Sequence, residues 1–328
     1  MPTFPSNKPF VAITMGDPSG IGPEIVLKSL ARNSIRRLAN FIVVGDMKVL
    51  EKSSGFLSGA VKASLKKIKI IDLKNVSLKS FSFGRQKAAY GKASIEYIKK
   101  ARELLRTGMA DCVVTAPINK NSIRKAGFKF PGHTEFFASS SSAKKFVMML
   151  TGGPLRVSLV TRHIPLADVS NRLNCKNIKN TIAITVNALR TDFNIPKPRI
   201  GVCALNPHAG EGGIFGKEEI KKITPAIKKF KKTNIVGPIP ADALFYDAYR
   251  GKFDAVICLY HDQGLIPLKM IARDTGVNVT LGLKFVRTSP DHGTAFDIAG
   301  KGQADPRSME TAIKLAVSMA KNRKKHAK

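Results

Sequence analysis

The chain has 328 residues, 43% of them hydrophobic, with 55 Lys and Arg against 23 Asp and Glu and a formal net charge of +32. No stretch approaches the roughly 20 apolar residues of a membrane span, and the opening MPTFPSNKPF is no secretory leader, so a cytoplasmic globular protein of one large or two medium domains is expected. The basic residues are scattered, without RNP-type aromatics, zinc-finger spacing or Trp, which argues against a nucleic-acid partner and for solvated lysines whose field favours an anionic substrate.

Along the chain, short apolar β-branched runs alternate with segments of helical period, the pattern of an α/β protein with largely parallel sheets. The predicted strands are PFVAITM (9–15), FIVVG (41–45), KIKIID (67–72), DCVVTAP (111–117), KFVMML (145–150), RVSLVT (156–161), RIGVCAL (199–205), DAVICLY (254–260) and VNVTLG (277–282). Predicted helices include GKASIEYIKKARELLRTG (91–108), NIKNTIAITVNALRTDF (177–193) and DPRSMETAIKLAVSMAKN (305–322), and the basic tail after Ala320 is expected to fray. Cys112, Cys175, Cys203 and Cys258 form no CxxC pair, and three of them lie in apolar runs, which predicts buried reduced thiols.

The first strand runs into MGDPSGIGPEI (15–25), a glycine-rich turn that matches neither GxGxxG nor GxxxxGK[ST]. Asp17 in this turn fits a capping role as well as a catalytic one.

Three of the six histidines share one topological position. His163, His208 and His261 each lie within one to three residues of the carboxyl end of a predicted strand, followed by the turn residues IP, AGEGG and DQG. In open α/β sheets that edge is where ligands bind. Neutral imidazoles suit Zn, Co, Fe or Ni and leave open positions for substrate oxygens. Acid/base or separate structural roles are the alternatives. Anion-binding candidates accompany them. His133 and Thr134 follow a Pro-Gly turn at an expected helix start, where free N–H groups favour an anion. Lys269, Asn278 and Arg287 are further candidates for a phosphate or carboxylate, Arg287 the stronger because it ends an apolar stretch.

The segment HGTAFDIAGKGQADP (292–306) resembles the adenosine-binding loop of the isocitrate and isopropylmalate dehydrogenases, and GDPSGIGPE (16–24) is similar to their GDGIGPE turn. With GHTEFFA (132–138), NPHAGEGGIFGKEE (206–219) and YHDQGLIPLK (260–269), the set resembles the 4-hydroxythreonine-4-phosphate dehydrogenase family, over a span from Val11 to Met309. The resemblance implies an isopropylmalate dehydrogenase-like α/β fold: two three-layer lobes flanking a central cleft, in a homodimer with the site at or near the dimer interface. The lobes are expected at 1–130 with 285–328, and at 131–284. It further implies a divalent metal ion (Zn, Mg or Co) on His163, His208 and His261, and substrate contacts at His133, Thr134, Lys269, Asn278 and Arg287. The adenosine part of NAD or NADP would lie along His292, Gly293 and Asp297. Phe296 and Asp305 depart from the Pro and Asn usual in the wider group, which leaves the choice between NAD and NADP open.

The activity so implied is oxidation of the secondary alcohol of 4-phosphooxy-L-threonine. The resulting β-keto acid loses CO2 to give 3-amino-2-oxopropyl phosphate, in pyridoxal 5'-phosphate biosynthesis. The same metal site would serve a paralogous dehydrogenase of another phosphorylated hydroxy acid, such as a four-carbon sugar acid phosphate.

Overall fold

The computed structural model describes residues 8–130, 132–140 and 145–326. Its strands are β1 (Phe10–Thr14), β2 (Asn40–Gly45), β3 (Lys69–Asp72), β4 (Cys112–Thr115), β5 (Val147–Gly152), β6 (Leu155–Leu159), β7 (Arg199–Cys203), β8 (Asn234–Ile239), β9 (Ala255–Cys258), β10 (Val277–Leu281) and β11 (Val286–Pro290). The longer helices are α1 (Gly22–Ala31), α2 (Met47–Ser54), α3 (Ala88–Arg106), α4 (His133–Ser140), α5 (Cys175–Thr191), α6 (Ala241–Tyr249), α7 (His261–Ala272) and α8 (Arg307–His326).

The chain divides into two compact units, one of residues 1–142 and 283–321, the other of 143–282 and 322–328. In the first, the strand order is β3-β2-β1-β4-β11 and every pairing is parallel. The central strand β1 is an unbroken apolar run because both its faces are covered: Val11, Ala12 and Ile13 are fully buried. In the second unit the order is β10-β5-β6-β9-β7-β8. Here β5 pairs antiparallel with β10 and β6, and the remaining pairs are parallel. The turn Gly153–Pro154 joins β5 to β6, with Gly153 supplying a φ of +53°.

Two placements differ from the boundaries expected at 1–130, 131–284 and 285–328. Helix α4 groups with the first unit, where Phe137 meets the Phe285 ring at 5.6 Å between centroids. The last residues group with the second unit, and α8 stays helical to His326 instead of fraying. The buried Asp192 carboxylate takes two hydrogen bonds from Arg323, at 2.6 and 2.8 Å, and its carbonyl takes one from Asn322. Cys112, Cys203 and Cys258 are buried and Cys175 half-buried, all four as free thiols.

Two strands lie outside the predicted set. β8 is a sheet edge that contains Pro238, which lacks the N–H a central strand needs. β11 is fully buried although Arg287, Thr288 and Ser289 are polar, so apolar periodicity does not reveal it.

Candidate active site

In the first unit, β11 and the start of α4 bring three of the expected anion-binding residues together. Arg287 is only 3% exposed, and its Nη2 donates to Thr115 Oγ1 at 2.7 Å. Nη1 donates to Thr134 Oγ1 at 3.4 Å. Burial lowers the guanidinium to about 10, which leaves it charged at neutral pH, and Glu135 opposes the shift. Beside it, His133 Nε2–H donates to the Ala116 carbonyl at 3.1 Å. Burial, and then the Arg287 charge, push His133 well below the usual histidine range, against the effect of the Ala116 bond. The ring is therefore neutral, with its proton on Nε2 and a lone pair on Nδ1. That Nδ1 is enclosed without a hydrogen-bond partner, as a ligand atom would require.

The glycine-rich turn after β1 packs close by. Gly16 has φ +79°, and a Cβ there would stand 2.4 Å from the Pro117 carbonyl; one on Gly22 would stand 2.2 Å from the Met15 carbonyl. The glycines thus allow backbone to lie on backbone. Asp17 Oδ1 accepts the Ser19 N–H at 2.9 Å, an Asx-type cap. Burial raises its pKa to about 6, outweighing the lowering effect of Ser19, Ser122 and Asn119.

In the second unit, helix α7 starts at His261, so DQG forms a first helical turn instead of the loop turn expected. A Cβ on Gly264 would lie 2.3 Å from Val157 Cγ1, so only glycine lets α7 sit this close to β6. Gln263 ties the strand ends together: its Oε1 accepts the Leu259 N–H and its Nε2 donates to the Ala204 carbonyl, both at 2.7 Å. Those residues lie just beyond β9 and β7, at the roots of the segments that carry His261 and His208.

The rings of His163 and His261 stand 5.5 Å apart between centroids. His261 Nδ1–H donates to Asp262 Oδ1 at 2.6 Å, and His208 Nδ1–H donates to Glu211 Oε2 at 3.0 Å. A carboxylate on Nδ1 leaves the Nε2 lone pair for another partner, the arrangement that supports metal-binding histidines. This donor chemistry fits a divalent ion. His208 is nevertheless not gathered with the other two, and among the described residues no group of three His, Cys, Asp or Glu side chains is assembled around one point. The backbone that carries it is unusual: residues 208–212 run through φ values of 51°, 55°, 79°, 42° and 66°. Such a left-handed run is costly for non-glycine residues and persists only when the surroundings impose it. Glu219 anchors the residues just before this run, accepting the N–H groups of Leu205 and Asn206 at 2.8 Å each. Glu218 adds bonds from Ser170 and Asn206, which hold its carboxyl down at about 2.

Lys269 is exposed on α7, and Asn278 lies on β10 with its Oδ1 enclosed and unpartnered. On the loop before α8, His292 Nδ1–H donates to the Gly293 carbonyl at 3.1 Å, and its Nε2 is enclosed without a partner. A Cβ on Gly293 would meet open space, and Asp297 is exposed. An uncrowded backbone and an exposed carboxylate suit the hydroxyls of a ribose, so this segment fits a nicotinamide cofactor. Thr115, Glu211, Asp262 and Gln263 were not identified from sequence. Asp262 and Glu211 carried a signal in their spacing to His261 and His208, whereas Thr115 carried none.

Comparison with known proteins identifies the family. The family model described as "Pyridoxal phosphate biosynthetic protein PdxA" matches residues 37–316. A 4-hydroxythreonine-4-phosphate dehydrogenase of Desulforapulum autotrophicum is 44% identical, over 96% of each chain. A D-threonate 4-phosphate dehydrogenase of Cupriavidus necator is 42% identical, over 96% of this chain and 98% of its own. The crystal structure of 4-hydroxythreonine-4-phosphate dehydrogenase from Klebsiella pneumoniae superposes with a TM-score of 0.85 at 37% identity, covering 97% of this chain and all of that one. The chain therefore belongs to the pyridoxal phosphate biosynthetic protein PdxA family.

Proposed function

We propose that the chain is an NAD(P)- and divalent-metal-dependent 4-hydroxythreonine-4-phosphate dehydrogenase. It would oxidise the secondary alcohol of 4-phosphooxy-L-threonine to a β-keto acid, which loses CO2 to yield 3-amino-2-oxopropyl phosphate. The observation that carries this reading is the pair of histidines, His208 and His261, each with Nδ1 engaged by a carboxylate, in a chain 44% identical to a relative of that name.

When bound, a divalent ion (Zn, Mg or Co) would supply Lewis acidity to an alcohol oxygen, and the nicotinamide a hydride acceptor. The chain's own part is to bind and orient. His163, His208 and His261 would be the metal ligands, with Asp262 and Glu211 fixing the protons of two of them on Nδ1. Substrate contact is assigned to His133, Thr134, Lys269, Asn278 and Arg287. The Arg287 guanidinium is fixed before substrate arrives by Thr115 and Thr134, so little order is lost when it meets a phosphate. The enclosed Nδ1 of His133 accepts a hydrogen bond from a proton-bearing substrate atom. His292, Gly293 and Asp297 would receive the adenosine part of the cofactor.

A homodimer and a cytoplasmic location complete the reading. Among the described residues no helix is long and apolar enough to cross a membrane. Ile266 and Met270, at 60% and 81% exposure, form an apolar stripe on the helix that begins with His261, a surface suited to a second copy. Sedimentation at micromolar concentration tests this; a monomer would refute it.

The second reading is a D-threonate 4-phosphate dehydrogenase, favoured by the Cupriavidus necator relative of that name at 42% identity. The two substrates differ at the carbon that carries an amine in one and a hydroxyl in the other. Turnover of each by the pure protein, with NAD and with NADP, decides between them.

A further inference from the structure

The turn after β1 continues into α1, which reaches a distant part of the chain. Ile21, Glu24 and Lys28 are spaced three and four residues apart and therefore lie on one face of the helix. Each holds the segment 294–304. Ile21 N–H donates to the Thr294 carbonyl at 3.0 Å. Glu24 is 2% exposed, and its Oε1 accepts the Ala304 N–H at 2.7 Å. Lys28 Nζ donates to Glu24 Oε1 at 2.8 Å and to the carbonyls of Gly302 and Ala304 at 2.8 and 2.7 Å. The second Glu24 oxygen, Oε2, is buried without a partner, so the Lys28 ammonium is the cation bonded to this carboxylate.

The segment gripped in this way has little regular structure of its own. Ala295 has φ +39°, and Gly300 and Gly302 have φ +73° and +70°. A Cβ on Gly300 would fall 2.5 Å from the Phe83 ring, and one on Gly302 would fall 2.3 Å from the Phe56 carbonyl. Short backbone bonds, Ile298 N–H to Ala295 O and Lys301 N–H to Ile298 O, complete the loop. Such a loop keeps its shape through its anchors, and the largest anchor is the Glu24–Lys28 pair with its three backbone bonds.

We propose that Glu24 and Lys28 are positioning residues for cofactor binding: the pair pins Gly302–Ala304 and thereby holds the His292–Asp297 segment in its binding shape. This rests on the reading that His292, Gly293 and Asp297 receive the adenosine part of NAD or NADP.

The test uses Glu24→Gln and Lys28→Met in the full chain, with Lys28→Arg as the conservative variant. Two quantities are read: amide hydrogen exchange of residues 298–305, and the affinities for NAD, NADP and inorganic phosphate by calorimetry. In Glu24→Gln and Lys28→Met, exchange at 298–305 should rise at least about tenfold through local opening. If the competent loop is then populated about a tenth of the time, affinity for the dinucleotide falls roughly tenfold. Phosphate affinity, which depends on the separate Arg287 cluster, stays within about twofold, and Lys28→Arg restores most of the dinucleotide affinity through its own donors. Unchanged exchange at 298–305 in both disruptive variants overturns the clasp. Faster exchange with unchanged dinucleotide affinity leaves the clasp standing and overturns the assignment of the cofactor to this segment. Equal losses of phosphate and dinucleotide affinity overturn a positioning role in favour of general loosening. If Glu24→Gln does not fold, Lys28→Met, whose altered side chain is partly exposed, carries the same test.

Discussion

The imidazoles of His163 and His261 lie 5.5 Å apart, and the Nδ1–H of His261 is held 2.6 Å from Asp262. Two strand ends thus present neighbouring rings, one of them with its tautomer set by an adjacent carboxylate. His208 repeats the carboxylate half of this arrangement through Glu211, on a loop with a run of positive φ angles.

Replacing His208 with Ala should abolish turnover and lower bound metal. Asp262→Asn should weaken metal binding by roughly 10- to 100-fold while leaving the fold intact. Calorimetric titration with Zn, Mg and Co measures both effects. Unchanged metal content and activity in His208→Ala would remove it from the ligand set.

Arg287→Ala removes a buried cation that Thr115 and Thr134 hold in place. Affinity for the phosphorylated substrate, or for inorganic phosphate, should fall by about two orders of magnitude, as for truncation of a buried charge partner. Affinity for NAD or NADP should change little. Equal losses on both sides would move Arg287 to the cofactor site.

Asp17 makes stability depend on pH in the sense opposite to a paired carboxylate. Burial raises its folded pKa from 3.8 to about 6, so between those values the folded state retains a proton that the unfolded state has lost. Its contribution therefore falls as pH rises from about 4 to 6 and stays low above that range. Asp17→Asn keeps the acceptor for the Ser19 N–H and removes the buried charge. It should stabilise the protein at pH 8 by about 1–3 kcal/mol and by much less at pH 4. Thermal melts of both proteins at the two pH values check this; a gain that is the same at both would rule out titration of Asp17 as the cause.

Much of the site was legible because it stands where strands end. The apolar runs before His163, His208 and His261 locate β6, β7 and β9, and the Pro-Gly turn before His133 locates the start of α4. The remainder depended on partners that spacing does not display. β11 escaped because its buried side chains are polar and satisfied by distant groups, Arg287 by Thr115 and Thr288 by the Ala312 carbonyl. The left-handed turn at His208 escaped because His and Ala are poor indicators of positive φ, and Glu219, which holds the N–H groups just before it, lies 11 residues further along the chain. The glycine-rich turn matches neither nucleotide-loop pattern in sequence, and its partners are equally hidden there: its glycines seat backbone on the Met15 and Pro117 carbonyls, and Glu24, at its end, bonds to an amide 280 residues away.

The most direct test of the central claim is the specificity constant of the pure protein, loaded with Zn, Mg or Co, towards 4-phosphooxy-L-threonine and D-threonate 4-phosphate with NAD and with NADP. The proposed function predicts reduced nicotinamide and CO2 in equal amounts from 4-phosphooxy-L-threonine, with kcat/KM at least about tenfold above that for D-threonate 4-phosphate, a difference of about 1.4 kcal/mol. A reversed preference, or no turnover of either compound by the metal-loaded protein, would contradict it.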